Sequence, residues 1–299
     1  MGTKSDHVDI PGTVRESARS IDRLALDLLN SDEPFSAESV HQIRVATKRL
    51  RAHWNLVRPD LDKKAYRRAK ERLRISARCL AGQRDARVIL STLETLFEKA
   101  RSAKLRRSAK AVRETANAYF RAGAAEPTGS GKQREMVDAL QSDREEWSEL
   151  DLGGADARLL EHGLRTTYAK ARRHGRRAAR SRQPEAFHRW RRWSKYLLYQ
   201  LEALEHLDPE RLRPWLRDLK RIGKLLGKSQ DYTIAMRLVR DTLDLQEQDR
   251  RRVIDALEEK QRAVLRKVCA SRNRVFELRP DQFVRALTED MGLKRGVRL

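Results

Sequence analysis

Apolar positions recur at intervals of three and four along almost the whole chain, the spacing that gathers side chains on one face of an α-helix. No stretch shows the strict alternation and β-branched enrichment of a strand. The pattern predicts helices over residues 13–30, 37–58, 61–80, 84–101, 103–122, 133–147, 155–181, 185–206, 209–226, 230–243, 246–273 and 281–290. Pro34, Pro59, Pro184, Pro209 and Pro280 fall in turns or first helical turns, where a missing N–H costs little. Residues 122–133, rich in Gly, Ala and Ser, read as a loop, and 151–156 as the connection between two halves. The fold class is all-α.

The halves resemble each other. His41-x-x-Arg44-x-x-x-Lys48 returns as His188-x-x-Arg191-x-x-x-Lys195, 147 residues later. Leu73, Arg74, Arg78, Leu80 and Asp85 return as Leu219, Lys220, Lys224, Leu226 and Asp231, at an offset close to 146. Met136-Val137-x-Ala139-Leu140 returns as Phe283-Val284-x-Ala286-Leu287. Matches in one register and one order indicate a tandem duplication. The expected organisation is a tail over residues 1–10 and one domain over 11–292, with repeat one at 11–150 and repeat two at 154–292. Each repeat is expected to form an antiparallel four-helix-type bundle around its own apolar stripe, the two related by a pseudo-two-fold axis.

Charge narrows the function. The 299 residues carry 66 Lys and Arg against 43 Asp and Glu, a formal net charge of +23. Such a surface collects polyanions: nucleic acid, anionic lipid or inorganic phosphate polymers. No stretch approaches the roughly 18 apolar residues of a membrane span, and residues 1–12 lack the core of a signal peptide. Cys79 and Cys269 make neither a disulfide framework nor a zinc cluster. A cytoplasmic protein without membrane contact, metal or cofactor is expected.

The basic residues lie in rows. At 100° per residue, His41, Arg44, Lys48 and Arg51 share one arc of a helix, while Ile43, Leu50, Trp54 and Val57 form a separate apolar arc. In the second copy His188, Arg191, Arg192 and Lys195 lie together, with Trp190, Trp193, Leu197, Leu201 and Leu204 opposite. The following helices carry Arg67, Lys70, Arg74 and Arg78 in one half, and Arg213, Arg217, Lys220 and Lys224 in the other. A further helix carries Arg165, Arg172, Arg176 and Arg180. From Arg165 to Lys195 there are twelve Lys and Arg against one acid, Glu185. Rows with few acids at i±4 are not self-neutralised, which favours binding over a merely solvated face. Arg grips two phosphate oxygens with its planar fork and Lys acts as a point charge. Steps of three or four residues place a charge every 5–6 Å or so, a comb for an extended anion. A histidine heading each row can donate to phosphate when neutral.

Other motifs carry less. Gly223-Lys-Leu-Leu-Gly227-Lys228-Ser229 is one residue too short for a nucleotide P-loop and follows a helix rather than a strand. Its glycines, like those of Gly129-Ser-Gly131-Lys132, read as turn glycines. Asp85 and Asp231 read as helix N-caps or first-turn carboxylates. Arg84 adds an anion contact beside Asp85, and Gln230 stands in its place in the second copy.

Val40-His41-x-x-Arg44-Val45-x-x-Lys48-Arg49-Leu50-Arg51, then Gln83-Arg84-Asp85-Ala86-Arg87-Val88, then the second His-x-x-Arg-x-x-x-Lys copy, resemble the CHAD domain, the histidine-bearing α-helical domain. The likeness runs from about Pro11 to Gly292. It implies two pseudo-symmetric four-helix bundles around a basic central channel that binds inorganic polyphosphate, and an association with polyphosphate granules and their proteins. It implies polyphosphate contacts at His41, Arg44, Lys48, Arg51, Arg74 and Arg78, and at His188, Arg191, Lys195, Lys220 and Lys224. This chain departs from the family pattern where Tyr196, Leu198 and Tyr199 follow the second row and Glu202 ends it, so that end is expected either to be weaker or to be closed by a salt bridge. With no Glu-x-Glu of a CYTH triphosphatase domain, it resembles a stand-alone CHAD protein.

Three functions compete. A non-enzymatic polyphosphate-binding module for targeting or scaffolding fits best. A nucleic-acid, in particular RNA, binding protein would use the same basic surface, and adventitious nucleic acid is expected at low salt. Base readout wants exposed aromatics, whereas aromatics are 6% of the chain and Trp54, Trp190 and Trp193 fall on apolar arcs. A phosphotransfer enzyme needs a carboxylate cluster or general base beside the phosphate, which the rows do not offer.

Overall fold

The computed structural model describes residues 9–31, 36–80, 83–122, 130–152 and 159–288, excepting the side chains of residues 37, 83–85, 130 and 160. Residues 1–8 of the expected tail, 123–129 of the expected loop and 153–156 of the expected connection lie outside these; residue 10 opens the first helix and residues 130–133 are helical rather than loop. The described residues are helical throughout, without a strand. The helices are α1 (Ile10–Leu29), α2 (Ala37–Val57), α3 (Lys63–Cys79), α4 (Gln83–Glu98), α5 (Ala103–Ala122), α6 (Ser130–Glu149), α7 (Arg165–Ser181), α8 (Pro184–Leu204), α9 (Pro209–Asp241), α10 (Glu247–Phe276) and α11 (Pro280–Thr288). A π-helical turn, Leu159–Leu164, leads into α7. Side-chain caps set several starts: Asp9 accepts from the Gly12 N–H, Ser36 from Ser39, Asp62 from Lys64 and Ala65, and Asp208 from Arg211. Each satisfies amides that a first turn leaves orphaned.

Helices α1, α2, α3 and α6 pack on one another, and so do α7, α8, the first half of α9, and α11. In the first group Trp54 and Trp147 lie 4.2 Å apart, and the Trp54 indole donates to the Asp143 carboxylate at 3.1 Å. In the second, Tyr168 stacks on Phe283 at 4.0 Å and its hydroxyl donates to the Val275 carbonyl at 3.0 Å. Gly175 lets α7 close on Trp190; a Cβ there would lie 2.9 Å from the indole. Met136, Leu140, Phe283 and Leu287 of the matched sequence motif are all buried. The groups join where α2 packs on α8, and the buried Gln200 amide donates to the Ala52 carbonyl at 2.8 Å.

Two expectations need correction. Residues 209–241 form a single helix rather than two. Leu219, Ile222, Leu226, Tyr232, Ala235 and Val239 are all buried, and Ser229 is small enough to continue the buried stripe, so the helix outlasts its glycines. Nor does each half keep a core of its own. Ile89, Leu93 and Val112 of α4 and α5 share a second cluster with Val239, Val253 and Leu257 of α9 and α10. The main cluster likewise takes side chains from both halves.

Candidate functional site

A groove of about 630 Å³ opens between α8 and α9, with α2 and α4 as its other walls. Lys220, Lys224 and Lys228 stand four residues apart along α9, all exposed, as one helical face requires. Arg191 and Lys195 enter from α8, and Arg49 from α2. From α4 come Ser91, Thr92 and Thr95. The two threonine hydroxyls donate to carbonyls of their own helix, while the Ser91 hydroxyl has no partner among the described residues.

The neighbours fix how the cations sit. Arg191 Nη1 donates to the Gly223 carbonyl at 2.8 Å, and its guanidinium lies over Gly227, where a Cβ would fall 2.9 Å from Nη1. Gly223 is also where the Lys195 stem crosses, its Cε 3.5 Å from the position of a Cβ. These glycines are therefore helix-interior residues that clear space for α8, not turn residues. The Tyr199 ring carries the Lys195 ammonium at 5.2 Å and the Arg49 guanidinium at 5.6 Å, within cation–π reach. At one end Glu202 meets Arg49 at 3.4 Å and Lys220 at 3.5 Å, the second of the two alternatives expected where the second row ends. Asp231 also lines the groove. It lies inside α9, so its reading as a cap is overturned.

Of the residues singled out from sequence, Arg191, Lys195, Lys220 and Lys224 come together here. The first row does not line the groove. Arg44 donates to the carbonyl of Leu80, the C-cap of α3, and Arg51 to the carbonyl of Leu73 within α3 at 2.7 Å, tying α2 to α3 at two levels. Burial lowers the Arg51 guanidinium pKa; the Tyr196 phenol opposes this and the charge of Arg192 adds to it. Arg51 thus faces Tyr196 and Arg192 of α8. His41 is exposed and Lys48 half-buried on α2. Arg74 and Arg78 are exposed and both approach Glu71, at 3.6 and 3.8 Å, so that row is less free of acids than its spacing implied. His188 Nδ1 lies 3.2 Å from Gln230 Oε1, an amide oxygen that accepts from the ring N–H. The side chains of Arg84 and Asp85 lie outside the described residues.

A family model, the CHAD domain, matches residues 21–240, well over half of the chain. The chain belongs to the CHAD domain family. Its fold is similar to the crystal structure of the CHAD domain from the plant Ricinus communis, at 20% identity, a TM-score of 0.57, and coverage of 90% of this chain and 91% of that one. None of the curated proteins compared with it matches. The CHAD family is associated in general with polyphosphate binding, and its domain is in general a binding rather than a catalytic one. Among the described residues no helix is long and apolar enough to cross a membrane.

Sequence reasoning missed three contributions to this CHAD groove. Lys228 continues the Lys220–Lys224 step, but the Gly-Lys-Ser around it resembled a turn. Arg49 belongs to the His41 motif yet lies off its row, and reaches the groove only because α2 packs on α8. The α4 hydroxyls carry no signal that distinguishes them from any helical Ser or Thr.

Proposed function

We propose that this CHAD chain binds inorganic polyphosphate without transforming it, and holds it in the groove between α8 and α9. The observation that carries this is the convergence of Arg49, Arg191, Lys195, Lys220, Lys224 and Lys228 from three helices on one cleft. Only Glu202 and Asp231 oppose them there. An anion with a charge at every repeat meets several cations at once, each pair worth about 4 kcal/mol before desolvation at an effective dielectric near 20. Arg191 supplies a fork already held by the Gly223 carbonyl, so little of its freedom is lost on binding.

The two halves, 11–150 and 154–292, are read as tandem copies related by a pseudo-two-fold axis around a basic channel. Support comes from the contacts: α2 packs on α1 and α3 as α8 packs on α7 and α9. On this reading His41, Arg44, Lys48, Arg51, Arg74 and Arg78 line the counterpart face, joined across α2–α8 by Arg192 and Tyr196, with Arg84 at its end. The bound polymer then serves as a scaffold or address for the protein, at polyphosphate granules where these form.

Arg44 and Arg191 also donate to backbone carbonyls, so reversing them disturbs packing as well as charge. Lys224→Glu with Lys228→Glu tests the groove more cleanly, since both ammonium groups are exposed. Affinity for long-chain polyphosphate at physiological salt is expected to fall at least about tenfold with the melting temperature nearly unchanged. Wild-type affinity in the folded double variant, or shortening of the polymer by the wild-type protein, would overturn the proposal.

A further inference from the structure

A second basic surface lies apart from the groove, along α7. Three depressions of about 290, 370 and 550 Å³ follow one another there. The first two share Thr166 and Lys170; the last two share Ala169, Arg173 and Pro280. They form one shallow strip along a helix of 17 residues, about 25 Å at 1.5 Å per residue. Arg173, Arg176, Arg177 and Arg180 stand exposed along it, and none makes an ion pair with a described residue. No carboxylate lines any of the depressions. Asp281, which pairs with Arg165, is the nearby exception.

This arrangement is costly for a helix that binds nothing. Arg172 and Arg176, Arg173 and Arg177, and Arg176 and Arg180 are like charges at i,i+4, which destabilise a helix. The helix dipole favours cations only in the last turn, which accounts for Arg180 and not for the rest. The crowding reaches across to α8: burial lowers the His174 pKa first, and Arg173, Arg189, Arg192 and Arg177 lower it further.

One end of the strip is aromatic. Trp193, assigned from sequence to the buried face, is only partly buried. It lines the first depression with Asn55, Arg58 and Lys170. The Lys170 ammonium rests 4.4 Å from its ring centroid, on the face that a stacked base would take. Burial lowers the Lys170 pKa, and the charges of Arg58 and Arg173 lower it further. A phosphate entering among these three cations would draw the ammonium off the ring.

We propose that the α7 strip is a binding surface for single-stranded nucleic acid, its arginines following the phosphate backbone and Trp193 offering a base a stacking platform. A basic track with an aromatic surface is the chemistry by which single strands are held without sequence preference. Duplex grooves fit less well, because α7 is packed against α8, α10 and α11 and cannot enter one. An inorganic polymer has no base to occupy Trp193. The proposal is independent of the polyphosphate groove, which lies on the opposite side of α8.

The test measures binding of a labelled oligomer of about 16 uridines, and separately of long-chain inorganic polyphosphate, to the full chain. Arg173→Glu with Arg177→Glu and Arg180→Glu is expected to weaken uridine-oligomer binding at least about tenfold, and to lower its salt slope by about 2, three contacts at roughly 0.7 each. Polyphosphate affinity is expected to stay within about twofold. Trp193→Leu is expected to weaken the oligomer and spare polyphosphate. If circular dichroism finds the glutamate variant misfolded, the corresponding triple glutamine variant decides in the same sense. Wild-type oligomer affinity in the folded variant, equal loss of both ligands, or no oligomer binding by the wild-type protein at physiological salt would overturn the assignment.

Discussion

Asp22 is fully buried, and its carboxylate has no hydrogen-bond partner among the described residues. Burial raises its pKa far above the carboxylate range and the nearby Asp143 charge raises it further, while Arg144 and Arg72 pull the other way. Asp143 is raised by burial too, but the Trp54 indole and Arg72 hold it lower. The folded protein thus keeps a proton on this pair that the unfolded chain releases near pH 3.8. Where the folded state binds more protons, stability falls as pH rises, here from the ordinary carboxylate range up through the raised folded pKa. His53 acts in the opposite sense. It is buried, with Nδ1 donating to the Arg49 carbonyl at 2.8 Å and Nε2 accepting from Ser17 at 3.0 Å. Burial lowers its pKa to about 4, so its stabilising effect is complete above pH 6.5 and is lost as pH falls toward 4. Asp22→Asn imitates the protonated acid. Its melting temperature is expected to match wild type near pH 3 and to exceed it by a margin that grows as pH rises toward 9; a variant that tracks wild type across that range would remove the buried proton from the account.

The long helix α9 carries a conflict between propensity and function. A glycine inside a helix costs roughly 1 kcal/mol relative to alanine, and α9 holds Gly223 and Gly227 side by side on its groove face. The two differ in what an added methyl would meet. At Gly223 it would touch the Lys195 stem at an ordinary 3.5 Å; at Gly227 it would press on Arg191 Nη1 at 2.9 Å. Gly223→Ala is therefore expected to raise thermal stability and leave polyphosphate affinity unchanged. Gly227→Ala is expected to keep much of the propensity gain while weakening binding several-fold, because the guanidinium must leave its seat. Equal affinities for the two variants would mean that Arg191 is not positioned by Gly227. These glycines also mark where sequence reasoning stopped. The rows themselves were legible, since Arg and Lys at i, i+3 and i+4 must share a face whatever the fold. Which rows meet in one cleft was not, because that depends on α2 packing against α8. Gly227-Lys228-Ser229 looked like a break because local propensity favours one there; the buried stripe through Leu226 and Tyr232 overrides it. Trp193 was misplaced for a related reason: its arc is apolar, but the Lys170 ammonium lies over its ring, in a depression that Arg58 also lines.

For the molecule as a whole, the duplication proposed above is not expected to make two independent folding units, because both apolar clusters draw on both halves. The α4–α5 hairpin of the first half presents Ile89, Leu93, Leu96 and Val112 to α9 and α10 of the second. Fully burying one such side chain is worth about 1.5–3 kcal/mol, so removing the partner helices forfeits an amount comparable to the whole 5–15 kcal/mol or so by which a domain is stable. The first half would also expose the α2 face that α8 covers, and would lose the buried bond from Gln200 to the Ala52 carbonyl. Charge adds to the penalty, because Glu202, the carboxylate that meets Arg49, belongs to the second half. A fragment of residues 1–150 is therefore expected to keep part of its helicity without a cooperative thermal transition, and to bind apolar dyes. Adding the 151–299 fragment is expected to restore a single transition at a temperature that rises with concentration, as association-linked folding requires. A cooperative transition for the first fragment alone, near that of the full chain, would mean that the shared cores contribute little and that the repeats fold as separate units.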